Sequence, residues 1–503
     1  MQNKTTQTRQ LFYYYLIAIL AGIILFFAFA PHGIYPLAII SPALLLFSWS
    51  KLNARQALFS GWLFGISFFG FGASWIYISL HNYGFMPIPL ASLVTAIFVA
   101  FLALFPALQG YYLNKLFPEN NYKKILLTFP ILWVVSEWIR SWLLTGFPWL
   151  FVGYTQIDSP LRGIAPIVGV YGISFAVTFT AAILVYILLI KSIKQRILLC
   201  VIALALWFLS GMLNNINWTK PVGSPINVSL VQGNIAQEIK WQPEKTPAIL
   251  QQYYAQTAKN WSNKIIVWPE AAIPSFPENL PGFLDKLDTA ATKHNTTIIS
   301  GIPLLKINDN SETKYYNGLI SLGINHHQQY LKRNLVPFGE YIPLPWLLNW
   351  LLDYLTIPMS NFSSGPNKQE PILAANTIIA PFICYEITYP DLLLDYLPKA
   401  QLLLTISDDS WFGKSVAAAQ HVEIARMRSA ESGRYQMIST NNAITAIVDD
   451  HGRIIKQALP YQQTVLNGEV QAMNGMTPFA SYGHYFWLIM FLGIGVLIVE
   501  RKK

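Results

Sequence analysis

The sequence has little charge and almost no cysteine for its length. Of its 503 residues only 12% are charged, whereas 53% are hydrophobic and 14% are aromatic. A typical soluble domain carries about 25% charged residues. A chain so poor in charge needs a lipid phase to cover its apolar surface, which excludes an ordinary soluble protein.

Several familiar sequence signals are also missing. There is no Gly-rich phosphate loop and no HExxH metal motif. No repeat of solenoid or propeller length and no low-complexity tract is present. The adjacent His326 and His327 have no third ligand at a metal-binding spacing, so a solvated loop is the better interpretation. We therefore predict neither a metal nor another cofactor.

Long apolar runs dominate the first 217 residues, and one more stands near the end. Most reach the ~20 residues that a helix needs to cross a bilayer, the second and the last being short. The runs are 11–30, 36–49, 57–80, 89–113, 123–144, 163–190, 197–213 and 485–499. The first follows Lys4 and Arg9, as a cleaved signal peptide would, but its length and the later spans favour an uncleaved anchor. The sequence predicts about eight transmembrane helices.

Basic residues alternate between the predicted loops. One set of loops contains Lys51, Arg55, Lys115, Lys123, Lys124, Lys191, Lys194 and Arg196. The alternate loops, 31–35, 81–88 and 145–162, contain only Arg162. By the positive-inside rule the N-terminus is cytoplasmic and residues 214–484 lie on the opposite side. The formal net charge of +9 thus partly reflects membrane topology, and we predict no nucleic-acid partner.

The stretch between the last two spans is typical of an α/β domain. Runs of strand length alternate there with helical segments, which favours a sheet covered on both faces. Strands are predicted from Ile226, Ile265, Thr296, Tyr316, Thr377 and Leu402, two more in "AITAIVDDHGRIIKQ", and helices at 247–261, 281–294 and 417–433. We predict a membrane domain of about seven transmembrane helices at 1–217, this α/β domain at 218–480, and a last transmembrane helix with a basic tail at 481–503.

Cys384 ends one of these runs, in "TIIAPFICYEITYP". A disulfide with the other cysteine, Cys200, is not expected, because Cys200 lies in an apolar span. A lone cysteine of this kind is usually inert core. The ends of strands in α/β sheets are nevertheless where catalytic groups collect, and Glu386 follows two residues later.

A cysteine nucleophile needs a base and a positive charge that stabilises the oxyanion. Glu270 in "IIVWPEAAIP" ends another predicted strand, after a proline that turns the acid outward. "YLKRNLVPFGEYIP" carries Lys332 and Glu340. Alone, each of these residues is more often a solvated surface charge, but all of them lie in apolar, aromatic surroundings.

Glu270, Lys332 and Cys384 stand in the order of the Glu, Lys and Cys motifs of the nitrilase superfamily. With the predicted spans, "LLTGFPWLFVGYTQID" from Leu143 and "SDDSWFG" from Ser407, the chain resembles the apolipoprotein N-acyltransferase family over nearly its full length. The resemblance implies a polytopic α-helical membrane domain and an extracytoplasmic nitrilase-like α/β domain, an α-β-β-α sandwich.

The resemblance also implies roles for individual residues. Glu270 would be the general base, Cys384 the nucleophile and Lys332 the ammonium that stabilises the tetrahedral oxyanion. Glu340 and Glu386 would be supporting acids that orient Lys332 and tune the charge of the site.

Aromatic positions near the family's active site match Trp241, Tyr385, Trp411 and Phe412, for which plain core packing stays open. Asp408 departs from the pattern, since the family commonly has Asn there. The sequence does not indicate which groups form hydrogen bonds with this extra acid.

The implied reaction is a two-step acyl transfer. Cys384 takes an acyl chain from a phospholipid, expected to be phosphatidylethanolamine, and passes it to the α-amino group of an N-terminal S-diacylglyceryl cysteine of an apolipoprotein. The location implied is the bacterial inner membrane, with the catalytic domain on the periplasmic side, and we expect a monomer. Two alternatives stay open: a membrane-anchored nitrilase-like amidase, and a polytopic transporter or receptor with an extracytoplasmic binding domain.

Two ionisable residues fall inside an apolar run. Glu137 and Arg140 are spaced i, i+3 and are expected to pair on one helix face. Charged groups in a span are functional candidates by default, here along a lipid access route, whereas a position at the helix end would make them structural.

Overall fold

The computed structural model describes residues 2–307, 312–324, 328–341 and 361–483, with Ile489 and Gly493. The chain divides into two units. The helical unit is built mainly from Met1–Ile76 and Pro89–Ile216, and the sheet unit from Tyr77–Ile88 and Asn217–Ala480. The short segment Tyr77–Ile88 falls inside the predicted membrane domain but groups with the sheet unit.

Each of the seven N-terminal apolar runs forms helix. The main helices are Gln2–Phe26, Leu37–Trp49, Ala54–Ala73, Ile88–Leu116, Phe129–Trp142, Ala165–Leu189 and Ile193–Leu213. Within the described part of the chain, five segments are long and apolar enough to cross a membrane: Thr8–Phe26, Ala54–Ala73, Ile88–Leu116, Pro160–Leu189 and Ile193–Leu213. The run at 485–499 lies outside the described residues apart from Ile489 and Gly493. A membrane-embedded unit is therefore supported, and the count of about eight spans stays a prediction.

The outer surface of the helical unit is apolar. Leu188 and Leu204 are each 70% exposed, and Phe208 is 69% exposed. Large exposed apolar surfaces mark interaction sites, and on helices of this length and composition the partner is lipid.

Two helices of this unit approach each other through glycines. A Cβ added at Gly61 would lie 2.3 Å from the carbonyl oxygen of Pro106, and one added at Gly65 would lie 2.5 Å from Cα of Ala103. Such close backbones are typical of membrane helices, whose association depends on packing because lipid tails are as apolar as the side chains.

Glu137 and Arg140 are both buried and both contact the loop that follows their helix. Glu137 Oε1 accepts a hydrogen bond from the backbone N–H of Val152 at 2.8 Å. Arg140 donates to the carbonyl oxygen of Phe147 at 3.1 Å, and its guanidinium lies 4.9 Å from the centre of the Phe151 ring. These contacts hold the loop in place. They favour a structural role for both residues over a role along a lipid access route.

The sheet unit contains two large β-sheets. The described residues form fourteen strands: β1 (Lys220–Pro221), β2 (Ile226–Gln232), β3 (Ile265–Val267), β4 (Thr297–Ile307), β5 (Thr313–Gly323), β6 (Gln329–Leu331), β7 (Ile372–Ala374), β8 (Thr377–Ile383), β9 (Leu402–Ser407), β10 (Gln436–Thr440), β11 (Ala446–Val448), β12 (Ile454–Gln457), β13 (Thr464–Val470) and β14 (Met473–Asn474). The first six-stranded sheet has the order β13-β2-β3-β4-β5-β6 and the second β12-β11-β10-β9-β8-β7, while β1 pairs with β14. Every strand that the sequence predicted is present.

Helices accompany both sheets. Leu250 and Leu287, from two of these helices, share a buried core with Ile266 and Ile298 of the first sheet. The helices are Thr246–Ala258 and Pro281–Lys293 on the first sheet, and Pro390–Tyr396 and Ala417–Ser432 beside the second. The expected α-β-β-α arrangement is therefore confirmed.

Parallel pairing brings the site-bearing strand ends to one edge. Strands β2, β3 and β4 are parallel neighbours, and so are β8, β9 and β10. The carboxyl ends of parallel strands share an edge, which is where α/β proteins bind ligands. The two sheets meet there, because Ser439 Oγ on β10 lies 3.4 Å from the carbonyl oxygens of Val231 and Val267. Residues that follow strands of both sheets can thus converge.

Candidate active site

Cys384 lies at a strained turn immediately after β8. Its φ is 52°, in the left-handed region that costs a residue with a Cβ about 1–2 kcal/mol. Glu386 holds this turn, because its Oε2 accepts a hydrogen bond from the backbone N–H of Ile383 at 2.8 Å. Strain of this kind persists where surrounding contacts fix the backbone, as they do at functional sites.

Glu270 follows β3 and is held by three donors. Its Oε1 accepts from the side-chain amide of Asn317 at 2.7 Å and lies 3.4 Å from Lys332 Nζ. Its Oε2 accepts from the backbone N–H of Asp408 at 2.8 Å. The carboxyl group is therefore buried and fixed in orientation.

Lys332 follows β6 and is almost completely buried, with 1% of its surface exposed. Its Nζ lies 2.9 Å from Glu340 Oε1, and the same oxygen accepts from the Asn317 amide at 2.7 Å. Burial alone would lower the pKa of the Lys332 ammonium, but the carboxylates of Glu340 and Glu270 raise it above its ordinary value. Lys332 is therefore a permanent cation between two carboxylates.

The charged groups of this cluster shift the pKa of the Cys384 thiol. Burial and the Glu270 carboxylate raise the pKa of the thiol well above its ordinary value, and Lys332 lowers it. The resting thiol is therefore protonated and becomes nucleophilic only when a base takes its proton. The structure thus brings the predicted Glu270, Lys332 and Cys384 into one electrostatic cluster, with Glu340 as the second acid on Lys332.

Glu386 braces the backbone around the cluster. Its Oε1 accepts from the Tyr330 hydroxyl at 2.9 Å and from the backbone N–H of Arg333 at 2.6 Å. Its other oxygen holds Ile383, the residue before the cysteine. Glu386 therefore links the segment that carries Lys332 to the turn that carries the thiol, through main-chain contacts.

Two family models match the chain: the apolipoprotein N-acyltransferase N-terminal domain over residues 21–183, and carbon-nitrogen hydrolase over residues 227–476. The apolipoprotein N-acyltransferase of Coxiella burnetii is 45% identical over 93% of this chain and 96% of its own length. That of Methylococcus capsulatus is 39% identical over 97% of this chain and 96% of its own. The chain belongs to the apolipoprotein N-acyltransferase family.

A solved structure also aligns with the chain. It is a CN-hydrolase superfamily protein from Xanthomonas campestris with an arsenic adduct in its active site, at a TM-score of 0.37 and 16% identity, over 49% of this chain and 91% of that one. Membership of the apolipoprotein N-acyltransferase family rests on the family models and the relatives, not on this alignment.

Of the aromatic residues predicted from the family pattern, Tyr385 follows Cys384 in the chain, and Trp241 follows Lys240, which contacts the backbone of Glu270. Tyr385 is buried beside Cys384 and packs edge-on against Tyr389, with the ring centres 5.4 Å apart. Trp241 is half-buried and follows Lys240, whose Nζ lies 5.9 Å from the Trp241 ring centre. The indole N–H of Trp241 is buried and has no hydrogen-bond partner among the described residues.

The other two aromatic residues lie in the turn after β9. Trp411 is half-buried, and its ring meets that of Tyr83 edge-on at 5.7 Å. Its carbonyl oxygen accepts from the Ser79 hydroxyl at 2.7 Å. Phe412 is also half-buried. The Tyr77–Ile88 segment therefore packs on this turn through Ser79 and Tyr83.

The extra acid Asp408 is paired with a buried lysine. Its Oδ2 forms an ion pair with Lys240 and accepts from the Gln237 amide at 2.6 Å. Lys240 also donates to the backbone carbonyl of Glu270 at 3.0 Å. The extra acid is thus neutralised, and the pair lies directly against the Glu270 segment.

Sequence reasoning missed several residues of the site. Asn317 on β5 bridges Glu270 and Glu340, and its only sequence signal is an amide inside the apolar strand "YYNGLISLG". Buried amides need partners, so this position was a candidate for a polar cluster. Lys240 and His421 gave no local signal, because their partners are distant in the chain.

No group of three or more His, Cys, Asp or Glu residues that could hold a metal ion occurs in the part of the chain that the structure describes. His326 and His327 lie outside that part.

Proposed function

We propose that this protein transfers a fatty acyl chain from a phospholipid to the α-amino group of an N-terminal S-diacylglyceryl cysteine of apolipoproteins, through a thioester on Cys384. Membership of the apolipoprotein N-acyltransferase family supports the reaction class. The observation that carries the residue assignment is the Lys332 ammonium, 3.4 Å from Glu270 and 2.9 Å from Glu340 and electrostatically coupled to the Cys384 thiol.

The first half-reaction forms the thioester. Glu270 takes the Cys384 proton, and the sulfur attacks the carbonyl carbon of the phospholipid ester, at sn-1 of phosphatidylethanolamine. The Lys332 ammonium stabilises the oxyanion that develops on the carbonyl oxygen. When the intermediate collapses, the carbon–oxygen bond breaks, Glu270 returns its proton to the departing alkoxide, and a lysophospholipid leaves.

The second half-reaction forms the amide. The free amine of the lipoprotein cysteine attacks the thioester carbonyl, and a second oxyanion develops beside Lys332. Glu270 accepts a proton from the amine nitrogen. The carbon–sulfur bond then breaks, and the thiolate regains that proton from Glu270. The product is an N-acylated lipoprotein, and the enzyme returns to its starting state.

The charge arrangement suits this proton transfer. When the proton moves from Cys384 to Glu270, a thiolate replaces a carboxylate near Lys332, and the net charge of the cluster does not change. A buried site favours such an internal transfer because it creates no additional unpaired charge. Glu340 keeps the Lys332 ammonium paired throughout.

Burial also favours transfer over hydrolysis. Cys384 and Glu270 are each 7% exposed, and Lys332 is 1% exposed. A site so closed to solvent gives water little access to the thioester, so that a bound amine is the effective acceptor.

The membrane setting belongs to the same proposal. About eight spans at the predicted positions would place the 218–480 domain on the periplasmic face of the bacterial inner membrane, with the 1–217 domain and the 481–503 helix embedded. A monomer tethered at both ends of its catalytic domain can reach both lipid substrates. The five apolar helices and the alternation of basic loops support this arrangement.

Intact-mass analysis tests the covalent step. The purified protein is incubated with phosphatidylethanolamine, and Cys384→Ala and Cys200→Ala are treated in parallel. We expect a fatty-acyl increment on wild type and on Cys200→Ala, none on Cys384→Ala, and its removal by a diacylated lipopeptide with a free N-terminal amine. Lipid binding without any adduct would remove the covalent step, and release by water alone would favour a hydrolase.

A further inference from the structure

A second buried polar cluster lies behind Cys384, on the side of its backbone. His421, on helix Ala417–Ser432, has Nε2 3.1 Å from the Cys384 carbonyl oxygen. Its Nδ1 lies 3.1 and 3.3 Å from the two carboxylate oxygens of Asp409. Asp409 also accepts from the Ser407 hydroxyl at 2.5 Å. The proposed acyl transfer from phospholipid to lipoprotein uses neither Asp409 nor His421.

The partners of His421 determine its protonation. A carbonyl oxygen and a carboxylate can only accept hydrogen bonds. An imidazole that faces acceptors with both nitrogens must donate from both, and only the imidazolium cation can do so. Burial lowers the pKa of His421, but the Asp409 charge and the hydrogen bonds to Asp409 and to the Cys384 carbonyl raise it above its ordinary value.

The charge of Asp409 bears directly on the thiol. Two carboxyl groups act on His421, those of Asp409 after β9 and Glu270 after β3, together with the backbone carbonyl of Cys384 after β8. Asp409 in turn raises the pKa of the Cys384 thiol. An uncompensated Asp409 would therefore oppose formation of the thiolate, and a cation on His421 cancels that effect.

We propose that Asp409 and His421 form a buried carboxylate–imidazolium pair that positions the Cys384 peptide in its left-handed turn and keeps the region behind the thiol electrically neutral. Both are positioning residues, since they act through Cys384 and not on the substrate. This inference rests on the proposed function in one respect, that Cys384 is the reacting group.

The test measures the reactivity of Cys384 without any lipid. In a Cys200→Ala background, the rate of alkylation by iodoacetamide is followed by intact mass from about pH 6 to 10, a range that spans the ordinary thiol pKa. Asp409→Asn, His421→Gln and the double variant are compared. The glutamine side chain can still donate to the Cys384 carbonyl but carries no charge.

We expect His421→Gln to slow alkylation at neutral pH by roughly tenfold or more and to shift its pH profile to the alkaline side, because Asp409 is then unpaired near the thiol. Asp409→Asn should show no alkaline shift. In the double variant, removal of the Asp409 charge should return the profile towards that of the parent.

A merely structural pair predicts a different pattern. The two single variants would then behave alike, and the double variant would be at least as slow as either. That pattern, or a His421→Gln profile identical to the parent, overturns the proposal. Normal alkylation without any acyl adduct from phosphatidylethanolamine would instead contradict the proposed function and leave this pair intact.

Discussion

Both units of the molecule bury charged side chains, but the partners of those charges differ. In the helical unit, Glu137 and Arg140 contact the loop that follows their own helix. In the sheet unit, Glu270 comes from one segment and Lys332 and Glu340 from another, and these groups act on one another. Burial of charge alone therefore does not identify a reaction site. Convergence of charged groups from different elements on one thiol, that of Cys384, is what makes the cluster in the sheet unit the candidate site.

The largest effect that separates the two regions is expected for Glu270→Gln. An amide cannot take the Cys384 proton, so thioester formation should slow by roughly 10²- to 10⁴-fold. The rate of acyl-adduct formation, followed by intact mass, measures this. Glu278→Gln, at an exposed acid nearby in the chain, is the matched control and should change nothing. If Glu270→Gln formed the acyl adduct at the wild-type rate, a residue other than Glu270 would have to be the base.

A somewhat smaller loss is expected for Lys332→Met. Both half-reactions pass through an oxyanion, so single-turnover acylation and aminolysis should each slow by roughly 10²- to 10³-fold. Lys314→Met serves as the control, because the Lys314 side chain is only partly buried and its Nζ lies 3.8 Å from Glu312 in a surface ion pair. A deficit in only one half-reaction would contradict the assigned role of Lys332.

In the helical unit the corresponding change should affect stability and not chemistry. Glu137→Leu leaves the buried N–H of Val152 without its acceptor, which should lower the free energy of unfolding by about 1–3 kcal/mol. Glu137→Gln keeps a carbonyl acceptor and should lose less. Denaturant unfolding in detergent and the rate per folded molecule are measured together. A rate loss like that of Glu270→Gln would place Glu137 in the reaction.

The smallest effect is a pH dependence of stability. Because the folded-state pKa of His421 is raised, its contribution is fully present below the ordinary histidine pKa of about 6.5 and is lost as pH rises through the folded value. The thermal midpoint of wild type should therefore fall with pH over that window more steeply than that of His421→Gln. Parallel slopes would mean that His421 is not charged in the fold.

Local patterns were sufficient to predict many of the longer elements of both units. The strand before Cys384 and the helix at 417–433 were visible as an apolar run and a helical segment, and the structure has them at Thr377–Ile383 and Ala417–Ser432. Short strands such as β6 and β7, of three residues each, carry too little pattern to be seen. The order of strands in each sheet depends on contacts distant in the chain and could not be predicted.

The candidate site likewise contains some residues that local sequence patterns could identify and others that they could not. Glu270, Lys332 and Glu340 could be singled out because they are charged residues in apolar surroundings. Burial of a charge costs free energy, so such positions are candidates for a function. Asn317 and His421 could not be found this way. An amide in a strand or a histidine in a helix has an ordinary packing explanation, and only the folded geometry shows what each one binds.

The proposed reacting groups come from both sheets: Glu270 and Lys332 follow β3 and β6 of the first, and Cys384 follows β8 of the second. Neither sheet alone carries both the Cys384 sulfur and the proposed base Glu270. In the proposed mechanism, a chain in which only one sheet has assembled therefore has no activated thiol and is expected not to acylate amines. An acyl donor that labels Cys384 would accordingly report complete assembly of the enzyme.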